Sequence, residues 1–107
     1  MNRKELGKRL CQWHLSMWDP IYAAGSFYVS GEVYPDKEIV EDAISSLTSI
    51  LDKKKRMLKG EKVMVTREGK QVDLKVFAGY TKKDLNENIA DLSEIISELK
   101  EFLTTDY

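Results

Sequence analysis

Twice in this chain apolar residues recur at steps of three and four over some twenty residues, and between the two runs the step shortens to two. The first run is Ile39, Val40, Ala43, Ile44, Leu47, Ile50, Leu51 and Leu58; the second is Leu85, Ile89, Leu92, Ile96, Leu99 and Leu103. With 3.6 residues per turn, such spacing lays the side chains along one stripe of a helix. Each helix is about 35 Å long, with a stripe wide enough to face more than one neighbour. Pro35 and Asp36 open the first and Gly60 closes it. Glu38, Glu41 and Asp42 near its start and Lys53, Lys54, Lys55, Arg56 and Lys59 near its end match the helix dipole. Thr81 followed by Asp84 is a capping box that opens the second, and the tail Thr104-Thr105-Asp106-Tyr107 is expected to fray.

Between Lys62 and Phe77 the period of two predicts a β-hairpin, with "REGK" and Gly69 as its turn. An isolated hairpin is marginal in water, so Val63, Val65, Val72, Leu74 and Val76 are expected to rest on the helices. Nearer the N-terminus, Leu6, Leu10, Trp13 and Met17 predict a helix that ends near Ser16 to Trp18. Asp19 and Pro20 form a boundary, because the residue before proline avoids helical angles while aspartate caps and proline suits a first turn. A second helix then runs from Pro20 to about Val29 and stops at Gly31. The order ααα-ββ-α describes a helix-dominated α+β domain: three N-terminal helices, a β-hairpin and a long C-terminal helix, in a single unit over residues 1–107.

Of the 107 residues, 42% are hydrophobic and 33% charged, enough apolar surface to form a core, and the net charge of -1 supplies no global field for nucleic acid or anionic lipid. The one cysteine makes no internal disulfide, Met-Asn-Arg-Lys-Glu is not followed by a signal peptide's apolar stretch, and no apolar run is long enough to span a bilayer. A soluble protein of the reducing cytoplasm is expected.

Trp13, Trp18, Tyr22, Phe27, Tyr28 and Tyr34 are six of the ten aromatic residues, gathered in the first third of the chain around Ala23-Ala24-Gly25-Ser26. Tryptophan and tyrosine favour edges and interfaces, and a glycine inside a helix signals close approach of a backbone or a ligand. Trp13, His14, Trp18, Tyr22, Gly25 and Tyr28 are therefore the candidate binding residues. They allow either tight helix packing, a partner surface, or a pocket in which nucleobases stack.

Cys11 and His14, three apart on a helix, are the one pair resembling a nucleophile and base, with Asp19 a poor third member because its carboxylate is wanted for capping. One Cys and one His leave zinc short of ligands, and no phosphate loop, H-E-x-x-H or G-x-S-x-G is present. No cofactor and no assembled reaction centre are expected. On the last helix Asp84, Glu87, Asp91, Glu94, Glu98 and Glu101 form an acidic ridge roughly opposite the leucine stripe, with Glu87, Asp91, Glu94 and Glu98 as a candidate face for a basic partner. The cations from Lys53 to Lys62 suggest phosphate contact, but four consecutive helical positions point around the whole cylinder and no aromatics are interleaved, which argues against nucleic acid.

At "WHLSMWDPIYAAGSFYVSGEV" the chain resembles small uncharacterised proteins carried by bacteriophages and prophages. They pair an N-terminal Trp-His with a short apolar helix that holds a Tyr-Ala pair and ends at a glycine. The matching positions are Trp13, His14, Tyr22, Ala23 and Gly31. The resemblance implies a phage-type accessory protein and brings no activity with it. The expected function is that of a small non-enzymatic binding protein that contacts a host or defence protein and associates with itself, the alternative being a protein that sequesters a nucleotide-like ligand.

Overall fold

The computed structural model describes residues 1–13, 18–31 and 35–107. Its elements in chain order are α1 (Arg3–Cys11), α2 (Pro20–Ser30), α3 (Lys37–Leu58), β1 (Met64–Arg67), β2 (Lys70–Asp73), α4 (Leu74–Ala78) and α5 (Lys82–Asp106). This is the expected helix-dominated α+β order, with one short helix, α4, added.

The long helices pack in a ring: α1 on α2, α2 on α3, α3 on α5 and α5 back on α1. Leu6 and Leu10 of α1, Ile21, Ala24 and Tyr28 of α2, Val40, Ala43 and Leu47 of α3, and Leu92, Ile95, Ile96 and Leu99 of α5 fill the middle. Each fully buried leucine contributes about 1.5–3 kcal/mol, so the ring rests on these positions rather than on helix propensity. A second, smaller cluster of Met57, Val63 and Leu85, with Leu58, Leu74 and Tyr80 packed against it, sits under the base of the hairpin.

The hairpin pairs Val65 with Val72 and Arg67 with Lys70 around Glu68 and Gly69. Both turn residues have positive φ, 52° and 77°, which is the backbone of a type I′ turn. Strand β2 stops at Asp73, earlier than alternation predicts. The Asp73 carboxylate accepts a hydrogen bond from the Lys75 N–H at 3.0 Å, and the Leu74 N–H closes the base of the hairpin on the Val63 carbonyl at 2.8 Å. A side chain that caps a helix start competes with the strand ladder, and here it wins. The expected apolar face is corrected accordingly: Val63 is buried, Val65, Val72 and Leu74 are half-buried, and Val76, turned out on α4, is 78% exposed.

Two helix ends also differ from expectation. Helix α1 stops at Cys11, and the Gln12 and Trp13 amides bond back to the Arg9 and Leu10 carbonyls in a tightened turn; residues 14–17 lie outside those described. The C-terminal tail is not frayed. Asp106 closes α5 with its carboxylate held by the Arg3 guanidinium, whose Nε donates at 3.2 Å, and the Tyr107 hydroxyl donates to the Pro35 carbonyl. Burial, with the Asp106 and Asp36 charges adding to it, pushes the Tyr107 hydroxyl pKa up and so keeps this donor protonated.

Candidate functional site

Helix α2 is unusual in carrying no charged residue along its 11 positions. The Asp19 carboxylate caps it, accepting from the Ile21 N–H at 2.9 Å, with Pro20 in the first turn. Ile21, Ala24, Gly25 and Tyr28 face inward, and Tyr28 meets Phe102 of α5 edge to face at 6.0 Å. Gly25 is accounted for by backbone approach. A Cβ there would lie 2.9 Å from Cys11 Sγ and 3.1 Å from the Gly7 carbonyl oxygen, and one on Gly7 would lie 2.8 Å from the Gly25 carbonyl oxygen. Helices α1 and α2 thus touch backbone to backbone through a glycine pair, of which the sequence signalled Gly25 as an approach site.

The other side of α2 is open. Tyr22, Ala23, Ser26, Phe27 and Ser30, on successive turns of one helix face, line a shallow depression of about 420 Å³. Trp18, just before the cap, is 94% exposed, and Phe27 and Val29 are each 37% exposed. A helix apolar all round belongs inside a core; this one has a core on one side and solvent on the other.

The candidate aromatics do not converge on one cleft. Trp18 stands in solvent, Tyr22 lines the outer face of α2, Tyr28 lies in the core, and Trp13 packs near α5. The Trp13 indole N–H donates to Asp91 Oδ2 at 2.7 Å. That carboxylate also holds Arg9, which reaches Glu94 at 3.1 Å. Burial alone would lower the Arg9 pKa, but hydrogen bonds and charge from Asp91 and Glu94 outweigh it and the net direction is up. Glu98 lies 3.9 Å from the Met1 amino group and Glu87 lies 4.0 Å from Lys83 Nζ. The middle of the acidic face is therefore turned to α1, while Glu87 stays in solvent. Asp84 serves the capping box with Thr81.

His14 and Tyr34 lie outside the described residues, so the Cys11–His14 pair is not placed. Cys11 is half-buried against Gly25, and burial pushes its thiol pKa up, which reduces the thiolate needed for nucleophilic chemistry. Among the described residues no three His, Cys, Asp or Glu side chains gather as metal ligands, and no helix is long and apolar enough to cross a membrane.

The basic run divides by direction, as consecutive helical positions must. Arg56 turns out to Glu61, its Nε donating at 2.8 Å. Lys54 turns in, 5% exposed, with its ammonium 3.4 Å above the Tyr80 ring. The sequence counts Lys54 among the cations of the basic run, and Leu47, Ile50, Lys54 and Met57 keep the three-and-four step of the α3 stripe, the spacing that marks an inward position. Lys53 and Lys54 line a cleft of about 390 Å³ with Trp13, Arg67 and Tyr80. The chain matches no protein-family model, and no curated protein or solved structure proved similar to it.

Proposed function

We propose that the protein is a non-enzymatic binding protein that works by contact with another polypeptide, a second copy of itself included, through the outer face of α2. The uncharged helix with one face in the core and the other in solvent carries this reading, since surface helices ordinarily place charge outward and exposed apolar patches mark interaction sites. The setting is cytoplasmic, as the single cysteine suggests, and the partner a host or defence protein, as the resemblance to phage accessory proteins suggests.

The size of the face sets the strength. An 11-residue helix is about 16 Å long and about 10 Å wide, on the order of 200 Å² with Trp18 at one end, against the roughly 800 Å² per partner of a standard stable interface. Self-association through α2 alone is therefore weak and reversible. Sedimentation velocity from micromolar to hundreds of micromolar should show the wild type moving above monomer size, with Trp18→Ala and Phe27→Glu remaining monomers. A wild type that stays monomeric across the range overturns self-association, and variants that associate as the wild type does overturn the assignment to α2.

A further inference from the structure

Lys54 is a buried cation whose sole close partner among the described residues is an aromatic face. Charged lysines are almost never fully buried without a counter-charge, because removing an ammonium from water is costly. Its Nζ has no carboxylate within ion-pair distance among the described residues. Asp84 feels the Lys54 charge only as the least of the influences that lower its pKa, and its Oδ2 accepts the Thr81 N–H at 2.9 Å. The cation–π contact with Tyr80 offsets part of that cost but supplies no negative charge.

The cleft that Lys54 lines repeats the imbalance. Lys53, one residue earlier, and Arg67, from the end of β1, add two more cations, and no acidic residue is among those that line it. Met57 and Leu74 make an apolar floor, while Trp13 and Tyr80 supply flat aromatic surfaces. Trp13 is fixed by Asp91, itself anchored by Arg9, so the indole is positioned before any ligand arrives. The volume of about 390 Å³ falls within the range of small-molecule sites.

We infer that this cleft binds a small organic anion whose negative group is attached to a flat aromatic body. The anion neutralises Lys54, with Lys53 and Arg67 at the mouth, and the ring lies on the apolar floor beside Trp13 and Tyr80. Low-dielectric walls strengthen that attraction relative to water. Nucleoside monophosphates and aromatic carboxylates share this chemistry. The site is separate from the outer face of α2.

Calorimetric titration of the intact chain with adenosine monophosphate, benzoate, adenosine and inorganic phosphate tests the inference. At least one of the first two should bind saturably and about tenfold or more tightly than adenosine or phosphate alone. Lys54→Met, which keeps the side-chain length, and Arg67→Ala, on an exposed strand end, should each weaken that binding by about ten- to a hundredfold, the range of one charge-assisted hydrogen bond. Monophosphate binding without benzoate binding assigns a phosphate ligand, and the converse a carboxylate. Saturation by none of the four probes, or affinity unchanged in Arg67→Ala and in folded Lys54→Met, overturns the inference.

Discussion

Replacing Gly7 by alanine tests the glycine contact that joins α1 to α2. In a helix interior the exchange should stabilise by about 1 kcal/mol, since alanine loses less backbone entropy. Here the new Cβ would sit 2.8 Å from the Gly25 carbonyl oxygen, 2.9 Å from Tyr28 Cβ and 2.9 Å from Val29 Cγ2. The first two atoms belong to the α2 backbone or are attached to it, so relief requires the helices to separate, and overpacking against rigid neighbours costs about 1–3 kcal/mol. Taking the upper part of that range, Gly7→Ala should lose about 1–2 kcal/mol net. At Gly25 the nearest atom is Cys11 Sγ, which can rotate away, and the Gly7 carbonyl oxygen stands at 3.1 Å; Gly25→Ala should lose about 1 kcal/mol or less. Urea unfolding followed by far-UV circular dichroism reads the difference. With a slope of about 1–3 kcal/mol per molar urea, the Gly7→Ala midpoint falls by about 0.3–2 M, and the double variant is non-additive because both changes strain one contact. A Gly7→Ala protein at least as stable as the wild type would refute close backbone packing.

Arg9→Met leaves Asp91 with Trp13 as its hydrogen-bond partner among the described residues; on a half-exposed pair the loss should be about 1 kcal/mol or less, with a red shift of tryptophan emission as the indole loosens, and an unchanged spectrum would separate Arg9 from Trp13. The Asp84 carboxyl is held below its ordinary value of 3.8, chiefly by the Thr81 backbone N–H and then by its hydroxyl. A lowered folded pKa gives stability that is complete above the unfolded value and lost as pH falls through the folded one. The stability gap between wild type and Asp84→Asn should therefore narrow as pH drops from about 5 to about 2, and a constant gap would show that the capping carboxylate is not involved. Because burial pushes the Cys11 thiol pKa up, iodoacetamide at neutral pH should label it much more slowly in the folded chain than in urea; equal rates would contradict its packing against α2.

The two long helices were legible because spacing records which face is buried, and both the Thr81 capping box and the Asp19-Pro20 start are written in residue types that do one local thing. Helix α4 was not. "VDLKV" alternates whether it forms a strand or a cap with one helical turn, and Asp73 decides the matter through a hydrogen bond. The end of α1 was hidden for another reason: Trp13 keeps the helical step but serves a contact with Asp91, 78 residues away, and periodicity cannot distinguish a helix position from a turn residue that happens to fall in phase. A wheel likewise gives the direction of the acidic ridge but not what lies opposite, so the engagement of Asp91 and Glu94 by Arg9 had no local signal. The same holds for the tail, where Arg3 and Pro35 hold Asp106 and Tyr107 from distant parts of the chain. At the candidate site, Trp18 and Tyr22 were found from composition, whereas the open face emerges only once Gly25 and Tyr28 are seen to take the inner side.

The contact role of α2 is tested most directly by following backbone amide resonances of the isotopically labelled chain through a dilution series. Amides of Trp18, Tyr22, Ser26, Phe27 and Ser30 should shift together with concentration while those of Leu47 and Leu92, deep in the core, stay fixed. Shifts centred on another element, or none as the protein is concentrated, would contradict it.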